Sequence, residues 1–439
     1  MIKFGERIEM LVDDYLIESV KNINIRKNEP LCVGKAVEYT GEWEQEGSLG
    51  VSVLDDGEQV MLYYRGFPGL HASDEDEHQT ACLAVSTDGI NFTPAAINEI
   101  EYNGNKENNL VLMHSSCHNF APFHDTNPLA KEDERYKAIG GTLLGNGGLL
   151  AYKSCDGIHW KPMSEEPVIT QGTFDSLNMA FWDQEIGMYR CYYRRFTGHR
   201  FQGRRIIVSA VSKDFIHWQD ATPNVYLPEK EEDLYTNATR PVPGAEHMYI
   251  SMPMRFHPSR KKYPEYPRVG VSDCVLMTSR DGVHWNRTLN DAFISGGLYS
   301  HEWTQRCFIP LGGIVSRGDY FYFYVSKNYL WDDAGIYVYS VPKYRFLSLY
   351  ADEDGGQMLT KELLFASDDI YLNYATSAYG YVLITVLDEQ GNEIFKSEEI
   401  FGNELSYKLH VEGLTGKTGR MKIELHAAHL YAIGSCMVG

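Results

Sequence analysis

One seven-residue pattern occurs four times in this chain and constrains the fold more than any other feature. Each copy begins with serine, carries aspartate two residues later and ends with an aromatic residue: STDGINF from Ser86, SCDGIHW from Ser154, SKDFIHW from Ser212 and SRDGVHW from Ser279. A fifth, degenerate copy, SVPKYRF, begins at Ser340. The regular period of about 60 residues indicates a repeat architecture.

Each copy ends a run of short apolar stretches. Stretches such as QVMLYYRG, MYRCYYRR and YFYFYVSK are typical of strands, and helical periodicity is nearly absent. Four antiparallel strands repeated about five times predict the blades of a β-propeller. The Asp-Gly pair predicts a tight turn, because aspartate caps its own backbone and glycine accepts a positive φ. We expect the final aromatic residue to pack between neighbouring blades.

The pattern of the sequence changes after Phe346. Short alternating strands and turns such as the one at residues 388–391 predict a β-sandwich. The predicted fold is therefore all-β, a five-bladed β-propeller followed by a C-terminal β-sandwich. The predicted domains are an N-terminal arm (residues 1–33), the propeller (34–343) and the sandwich (344–439). The arm contains MLVDDYLIE, a strand that could complete a blade or pair with the sandwich.

Charge and composition restrict the partners. A formal net charge of −20 disfavours nucleic acid and anionic membranes, because their phosphates would be repelled. No apolar run approaches the ~20 residues of a membrane span, and the acidic start predicts no signal peptide. The eight cysteines lack metal-ligand spacing and are expected to be reduced. We expect a cytoplasmic protein without cofactor or metal; an ion bound in the channel and formation of a homo-oligomer are left open.

Several stretches resemble one group of known proteins. LVDDYLIE, the repeated pattern, FDSLNMAFWD from Phe174, LYTNA from Leu234 and the ending HLYAIG resemble bacterial proteins assigned as glycosidases. That group is related to the five-bladed propellers of arabinanase, invertase and levansucrase and carries a C-terminal β-sandwich. The resemblance covers nearly the whole chain and implies a carbohydrate substrate. Because the invertase signatures and the second-blade aspartate of arabinanase-like enzymes are absent, sucrose or fructan chemistry is not expected.

The resemblance also implies where the chemistry lies. In such propellers the ligand sits over the central channel, where the innermost strand of each blade begins. One segment per blade then carries the site: WEQEGSLG, CHNFAPF, TFDSLNM, LYTNATR and SHEWTQR. Glycoside hydrolysis needs one protonated and one ionised carboxyl group. By analogy Asp175 is the acid of blade three, Glu46 is the base of blade one with Glu44 as its alternative, and Glu302 is a third candidate in blade five.

Other polar residues of these segments are candidates for binding. His118, Asn119, Asn178 and Asn237 could bond sugar hydroxyls, although buried asparagines often bond the backbone instead. Basic residues recur near strand ends, at Arg65, Arg194, Arg240, Arg255, Arg306 and Lys327. A ring of cations suits a carboxylate- or phosphate-bearing ligand. The alternative is that these cations pair with the excess of acidic residues.

These observations predict a glycoside hydrolase that acts on an oligosaccharide or glycoside. Asp175 and Glu46 would form its carboxyl pair, with inversion at the anomeric carbon. Two alternatives remain open. One is a glycoside phosphorylase with a cationic phosphate site, and the other is a carbohydrate-binding protein without catalysis.

Overall fold

The computed structural model describes residues 1–45, 47–67, 76–199, 201–287 and 289–437. Within these ranges nearly all regular structure is strand, and the all-β prediction is confirmed. The helical segments are single turns: the α-helix Leu143–Asn146 and the 3₁₀ helices Ser115–Cys117, Glu132–Glu134 and Ser300–Trp303. None of these described helices is long enough to cross a membrane.

Contacts divide the chain into two compact units. The larger unit comprises Leu31–Arg317 and Tyr322–Ser340, and the smaller unit comprises Met1–Pro30, Gly318–Phe321 and Val341–Gly439. The domain bounds predicted above stay predictions.

Five sheets of four or five strands follow one another in the described part of the larger unit. Sheet 1 contains Leu49–Asp55, Val60–Gly66, Thr80–Ser86, Thr93–Pro94 and Leu110–Met113. Sheet 2 contains Ala121–His124, Tyr136–Gly140, Leu150–Ser154 and Lys161–Pro162. Sheet 3 contains Met179–Asp183, Met188–Phe196, Arg205–Ser212 and Thr222–Pro223.

The last two sheets depart slightly from this pattern. Sheet 4 contains Val225–Leu227, Arg240–Val242, Ala245–Ser251, Met277–Ser279 and His284–Asn286. A small three-stranded sheet beside it contains Asp233–Leu234, Met254–His257 and Val271–Cys274. Sheet 5 contains Phe308–Pro310, Val315–Arg317, Tyr320–Lys327, Gly335–Pro342 and, from the start of the unit, Leu31–Glu38.

Neighbouring sheets contact one another through one strand each, which is called here the first strand of its sheet. Leu49–Asp55 contacts Ala121–His124, which contacts Met179–Asp183, which in turn contacts Arg240–Val242. The series returns to its start where Gly312 pairs with Ser52 in a parallel bridge. This arrangement places the starts of the first strands around one axis, and the count of five blades stays a prediction.

The four repeated patterns form one kind of turn. In the second copy the Ser154 hydroxyl accepts the Gly157 N–H and donates to Asp156, both at 2.9 Å. Asp156 Oδ1 accepts the N–H groups of Ile158 and His159, also at 2.9 Å. Gly157 has a φ of +76°, the left-handed conformation that glycine adopts without strain. Equivalent bonds form in the other three copies.

The turns also join neighbouring sheets. Trp160 of the second copy contacts Tyr63 of sheet 1, and the Tyr63 hydroxyl donates to the Gly157 carbonyl at 2.8 Å. Trp285 of the fourth copy contacts Tyr192 of sheet 3, whose hydroxyl donates to Gly282 at 2.7 Å. The aromatic residue therefore packs between sheets, as the pattern predicted.

The third copy carries Phe215 in place of glycine. Phe215 has a φ of +70°, which is strained for a residue with a side chain. Its ring is fully buried and packs on Phe123 of sheet 2 and Tyr189 of sheet 3, with ring centroids 5.6 Å and 5.2 Å apart. The buried contacts offset the backbone strain at this position.

In the described part of the smaller unit, eleven strands form one hydrogen-bonded sheet around their own hydrophobic core. Its strands are Ile2–Phe4, Ile8–Met10, Ile17–Lys21, Asn24–Lys27, Leu347–Ala351, Gly356–Thr360, Leu363–Phe365, Asp369–Asp388, Glu393–Lys396, Asn403–His410 and Thr418–Gly434. The two long strands pair along most of their length, with a break in register between Thr376 and Tyr381. Strands within residues 1–27 pair in this sheet, so the MLVDDYLIE stretch adds to the smaller unit.

Candidate functional site

A cavity of about 180 Å³ lies where the first strands of the larger unit begin. All five predicted segments supply residues to it. The lining contains Leu49, Arg65, Phe67, His118, Asn119, Asp175, Ser176, Leu177, Tyr235, Thr236, Met254, Arg268, Arg306, Ile309 and Tyr329. Polar groups therefore converge from separate sheets over an apolar floor of Leu49, Leu177, Met254 and Ile309, an arrangement typical of small-molecule sites.

Asp175 is the carboxylate among the described lining residues. Buried Phe174 and Leu177 anchor the segment on either side, and the Asp175 side chain remains 35% exposed. Arg194, buried in the strand Met188–Phe196, donates from Nη2 to Asp175 Oδ1. The carboxylate thus faces the cavity with a guanidinium group behind it.

Arg65 and His118 form a buried pair at the cavity wall. Arg65 Nη1 lies 2.9 Å from His118 Nε2, and Arg65 Nη2 donates to the Gly47 carbonyl at 3.1 Å. Because a guanidinium group only donates, His118 Nε2 accepts and its Nδ1 carries the proton toward Gln79 Oε1, 3.0 Å away. Burial, together with Arg65, Arg306 and Arg194, holds the pKa of His118 well below its usual range. His118 is therefore a neutral group here.

Tyr235 lies among the guanidinium groups of Arg194, Arg205 and Arg306. Its side chain lines the cavity although the residue is only 8% exposed. Its hydroxyl oxygen accepts from Arg306 Nη2 at 2.9 Å, and the Arg194 and Arg205 guanidinium carbons lie 4.7 Å and 4.9 Å from its ring centroid. Burial raises the pKa of Tyr235, but Arg306, Arg194 and Arg205 lower it more, so the net pKa falls below the usual value.

Backbone strain accompanies this site. Asn119 and Arg306, both in the lining, have φ values of +60° and +59°, and Ala238 of the fourth segment has +50°. A left-handed residue with a side chain costs about 1–2 kcal/mol. Strain of this kind is common where side chains must be held in a particular direction.

Of the predicted asparagines, only Asn119 lines the cavity, where its Nδ2 donates to the Ser176 carbonyl at 2.8 Å. Asn178 is fully buried and donates to the carbonyls of Phe174 and Ser176. Asn237 donates to the Leu177 carbonyl at 2.9 Å and accepts from the Thr239 N–H. Asn178 and Asn237 therefore shape the first-strand segments from behind the cavity.

Several of the predicted charged residues do not line this cavity. Arg255 pairs with Asp273, with Nη2 and Oδ2 2.6 Å apart. Glu302 accepts from Lys327 Nζ at 2.6 Å and from the Gly297 N–H at 2.9 Å. Arg240 is buried, donates to the Thr239 carbonyl at 3.2 Å and borders a separate cavity with Phe181 and Arg317.

The predicted base, Glu46, lies outside the described residues. Its alternative, Glu44, is buried and accepts from the N–H groups of Thr40 and Gly41 and from the Tyr64 hydroxyl at 2.5 Å. Glu44 thus caps its own loop. The catalytic and binding roles assigned from the sequence stay predictions.

The sequence pattern of carboxylates does not point to Tyr235, because the usual pKa of tyrosine lies far above neutral pH. The only available signal was its position in LYTNATR, one of the five site segments. Arg268, an exposed lining residue in a stretch without a repeated pattern, gave no signal.

One group of described residues could hold a metal ion. His301, Asp332 and Asp333 offer ligand atoms within 4.8 Å of one another. His301 Nδ1 is bonded to Asp333 Oδ1 at 2.9 Å, and its ring is stacked on Trp331. None of these residues lines the cavity around Asp175.

Comparison with known proteins gives structural similarity only. No protein-family model matches the sequence, and no curated protein matches it. A solved structure described as "Glycoside hydrolase" has a TM-score of 0.48 and 11% identity, covering 72% of this chain and 92% of that one. A β-1,2-mannobiose phosphorylase from Listeria innocua has a TM-score of 0.44 and 12% identity, covering 73% and 97%. A fructofuranosidase from Schwanniomyces occidentalis has a TM-score of 0.40 and 9% identity, covering 88% and 94%.

Proposed function

We propose that the protein is a glycoside hydrolase that cleaves its substrate in the cavity around Asp175. The observation that carries the proposal is the Asp175 carboxylate, accessible from the cavity and held by a buried guanidinium group. The apolar floor suits the carbon face of a sugar ring, and Asn119 offers a partner for its hydroxyls.

Asp175 suits the ionised member of the catalytic pair. A carboxylate in an ion pair with Arg194 is ready to take a proton from water or to attack carbon. This is the reverse of the role that the sequence resemblance implies for Asp175. The proton for the departing oxygen then comes from a second group, for which the sequence offers Glu46.

A glycoside phosphorylase is the second candidate. Arg65, Arg268 and Arg306 line the cavity against the single described carboxylate, Asp175. Guanidinium groups bind phosphate with paired, charge-assisted hydrogen bonds. Inorganic phosphate held by these arginines would replace water as the attacking group.

The test is an activity screen of the purified protein. A panel of nitrophenyl glycosides and unactivated oligosaccharides, neutral and anionic, is incubated with and without inorganic phosphate. Cleavage independent of phosphate supports hydrolysis, and cleavage that requires phosphate identifies the phosphorylase. Binding of sugars without turnover across the panel contradicts both and leaves the non-catalytic binding protein.

Removal of the Asp175 charge gives the matched test. We expect Asp175→Asn to lower kcat by about 10²–10⁴-fold, the usual contribution of a catalytic acid or base. Asp273→Asn is the control, because Asp273 is also paired with an arginine but lies outside this cavity. An Asp175→Asn protein that cleaves at the wild-type rate would remove Asp175 from the mechanism.

A further inference from the structure

The Tyr235 hydroxyl has an incomplete set of hydrogen-bond partners. Among the described residues, its oxygen is bonded to Arg306 Nη2, 2.9 Å away. A guanidinium group can only donate, so this bond uses the oxygen as an acceptor and leaves the phenol proton without an acceptor in the described protein. Because Tyr235 lines the cavity, that proton is left for a group bound there.

The charges around Tyr235 are unevenly balanced. Arg194 is paired with Asp175, and Arg205 is paired with Asp233 at 3.2 Å. Among the described residues no carboxylate forms an ion pair with Arg306, and its Nη2 donates to the Tyr235 hydroxyl. A phenolate at Tyr235 would therefore become the counter-ion of Arg306. The positive charge of Arg306 would stabilise the phenolate that forms when Tyr235 loses its proton.

We infer that Tyr235 donates the proton to the departing glycosidic oxygen while Asp175 acts as the base. The inference rests on the proposed function. It names the proton donor, because Asp175 is the single carboxylate among the described lining residues and already serves as the base. The two groups are held together, because the Ser176 hydroxyl beside Asp175 donates to the Tyr235 carbonyl at 2.6 Å. Arg194 contacts both the Asp175 carboxylate and the Tyr235 ring.

In the proposed reaction, water replaces the leaving group at the anomeric carbon. A water oxygen forms a bond to the anomeric carbon and gives its proton to the Asp175 carboxylate. The bond from the anomeric carbon to the leaving oxygen breaks, and that oxygen takes the Tyr235 proton. The products are a free sugar, an alcohol, a neutral Asp175 carboxyl group and a Tyr235 phenolate. Proton exchange with solvent then restores both residues.

This assignment has a defined pH dependence. Tyr235 acts only while protonated, so activity falls as the pH rises through its pKa. Burial raises that pKa, Arg306, Arg194 and Arg205 lower it, and the Asp175 carboxylate raises it. Since the net shift is downward, the alkaline limit lies below that of an ordinary tyrosine. Removal of Arg306 moves the limit upward.

The first experiment needs no substrate. Tyrosinate absorbance is titrated for the wild type and for Tyr235→Phe, and the difference isolates one of the 30 tyrosines. We expect the difference curve to titrate below the usual value of about 10, and Arg306→Met to move it upward. Tyr193→Phe is the control, because burial raises the pKa of Tyr193 and its loss should leave the low-pH step in place. A Tyr235 that titrates at or above the usual value overturns the inference.

The second experiment uses leaving groups. With the sugar selected by the panel, Tyr235→Phe should lower kcat on a methyl glycoside by about 10²–10⁴-fold. The loss should largely disappear on a dinitrophenyl glycoside, which departs without a proton, whereas Asp175→Asn should lose activity on both. Equal losses of Tyr235→Phe on both substrates indicate a structural role and overturn the inference. If the wild type cleaves no glycoside, the proposed function fails, and the titration still decides whether Tyr235 is the acidic phenol.

Discussion

The repeated turns and the cavity use aspartate in opposite ways. In the fourth turn, Asp281 accepts the N–H groups of Val283 and His284 at 2.8 Å and bonds the His284 ring at 2.6 Å. These bonds all close within seven residues of chain. Asp175 instead pairs with Arg194, which lies 19 residues further along the chain, and it faces the cavity.

The difference separates the residues that make the fold from those that are available to a ligand. A turn that forms its main hydrogen bonds within one short stretch of chain can be repeated from sheet to sheet. The cavity segments supply different side chains, among them Leu49, His118, Asn119, Asp175 and Tyr235. The candidate site of this unit lies where the repeats differ.

Loss of an aromatic turn residue should have the largest effect on stability. Trp285 is fully buried against sheet 3, and Trp285→Ala should lower the free energy of unfolding by about 3–5 kcal/mol. Urea unfolding measures the loss, and kcat of the folded fraction should be unchanged. A fall in kcat without a fall in stability would contradict the separation of turn and site, because it would make the turn part of the site.

Restoring glycine in the third turn should destabilise the protein. Phe215→Gly removes the left-handed strain but also a fully buried ring, for a net loss of about 2–3 kcal/mol. Phe215→Leu is the matched control, because it keeps the strain and part of the apolar contact, and its loss should be smaller. If Phe215→Gly is more stable than the wild type, the turn chemistry outweighs the packing between sheets.

The smallest effect should come from the charge of a turn aspartate. Burial raises the pKa of Asp281, but hydrogen bonds from His284 and two backbone N–H groups lower it to about 2. A lowered pKa stabilises the fold above the unfolded value of about 4, and that contribution disappears as the pH falls to about 2. The difference in melting temperature between the wild type and Asp281→Asn should therefore shrink over this range. A difference that is independent of pH would show that the carboxylate charge plays no part in the turn.

The fold class could be predicted because its signals are local. The bonds of Ser154, Asp156 and Gly157 lie within one turn, and strand alternation reflects two faces of one sheet. The direction of a side chain is not local. Asn119 and Asn178 look alike in the sequence, yet one lines the cavity and the other bonds the backbone behind it.

The candidate site was predictable in position and less so in chemistry. Residues of all five first-strand segments line the cavity, because the start of a strand is set by the repeat. The altered proton affinity of Tyr235 depends on Arg194 and Arg205, in adjacent strands of sheet 3, and on Arg306, just before the strand Phe308–Pro310 of sheet 5. No pattern within one segment reports such a combination.

The strand Leu31–Glu38 has a consequence for how the chain reaches its structure. It pairs with Gly335–Pro342, so the first and last parts of the larger unit share sheet 5. Contacts between parts of a chain so far apart in sequence slow folding, because a long loop must close before they form. During synthesis the edge of Leu31–Glu38 stays unpaired until nearly the whole larger unit has been made. The order of translation therefore leaves this edge exposed to other chains for longer than any strand paired with its immediate neighbour.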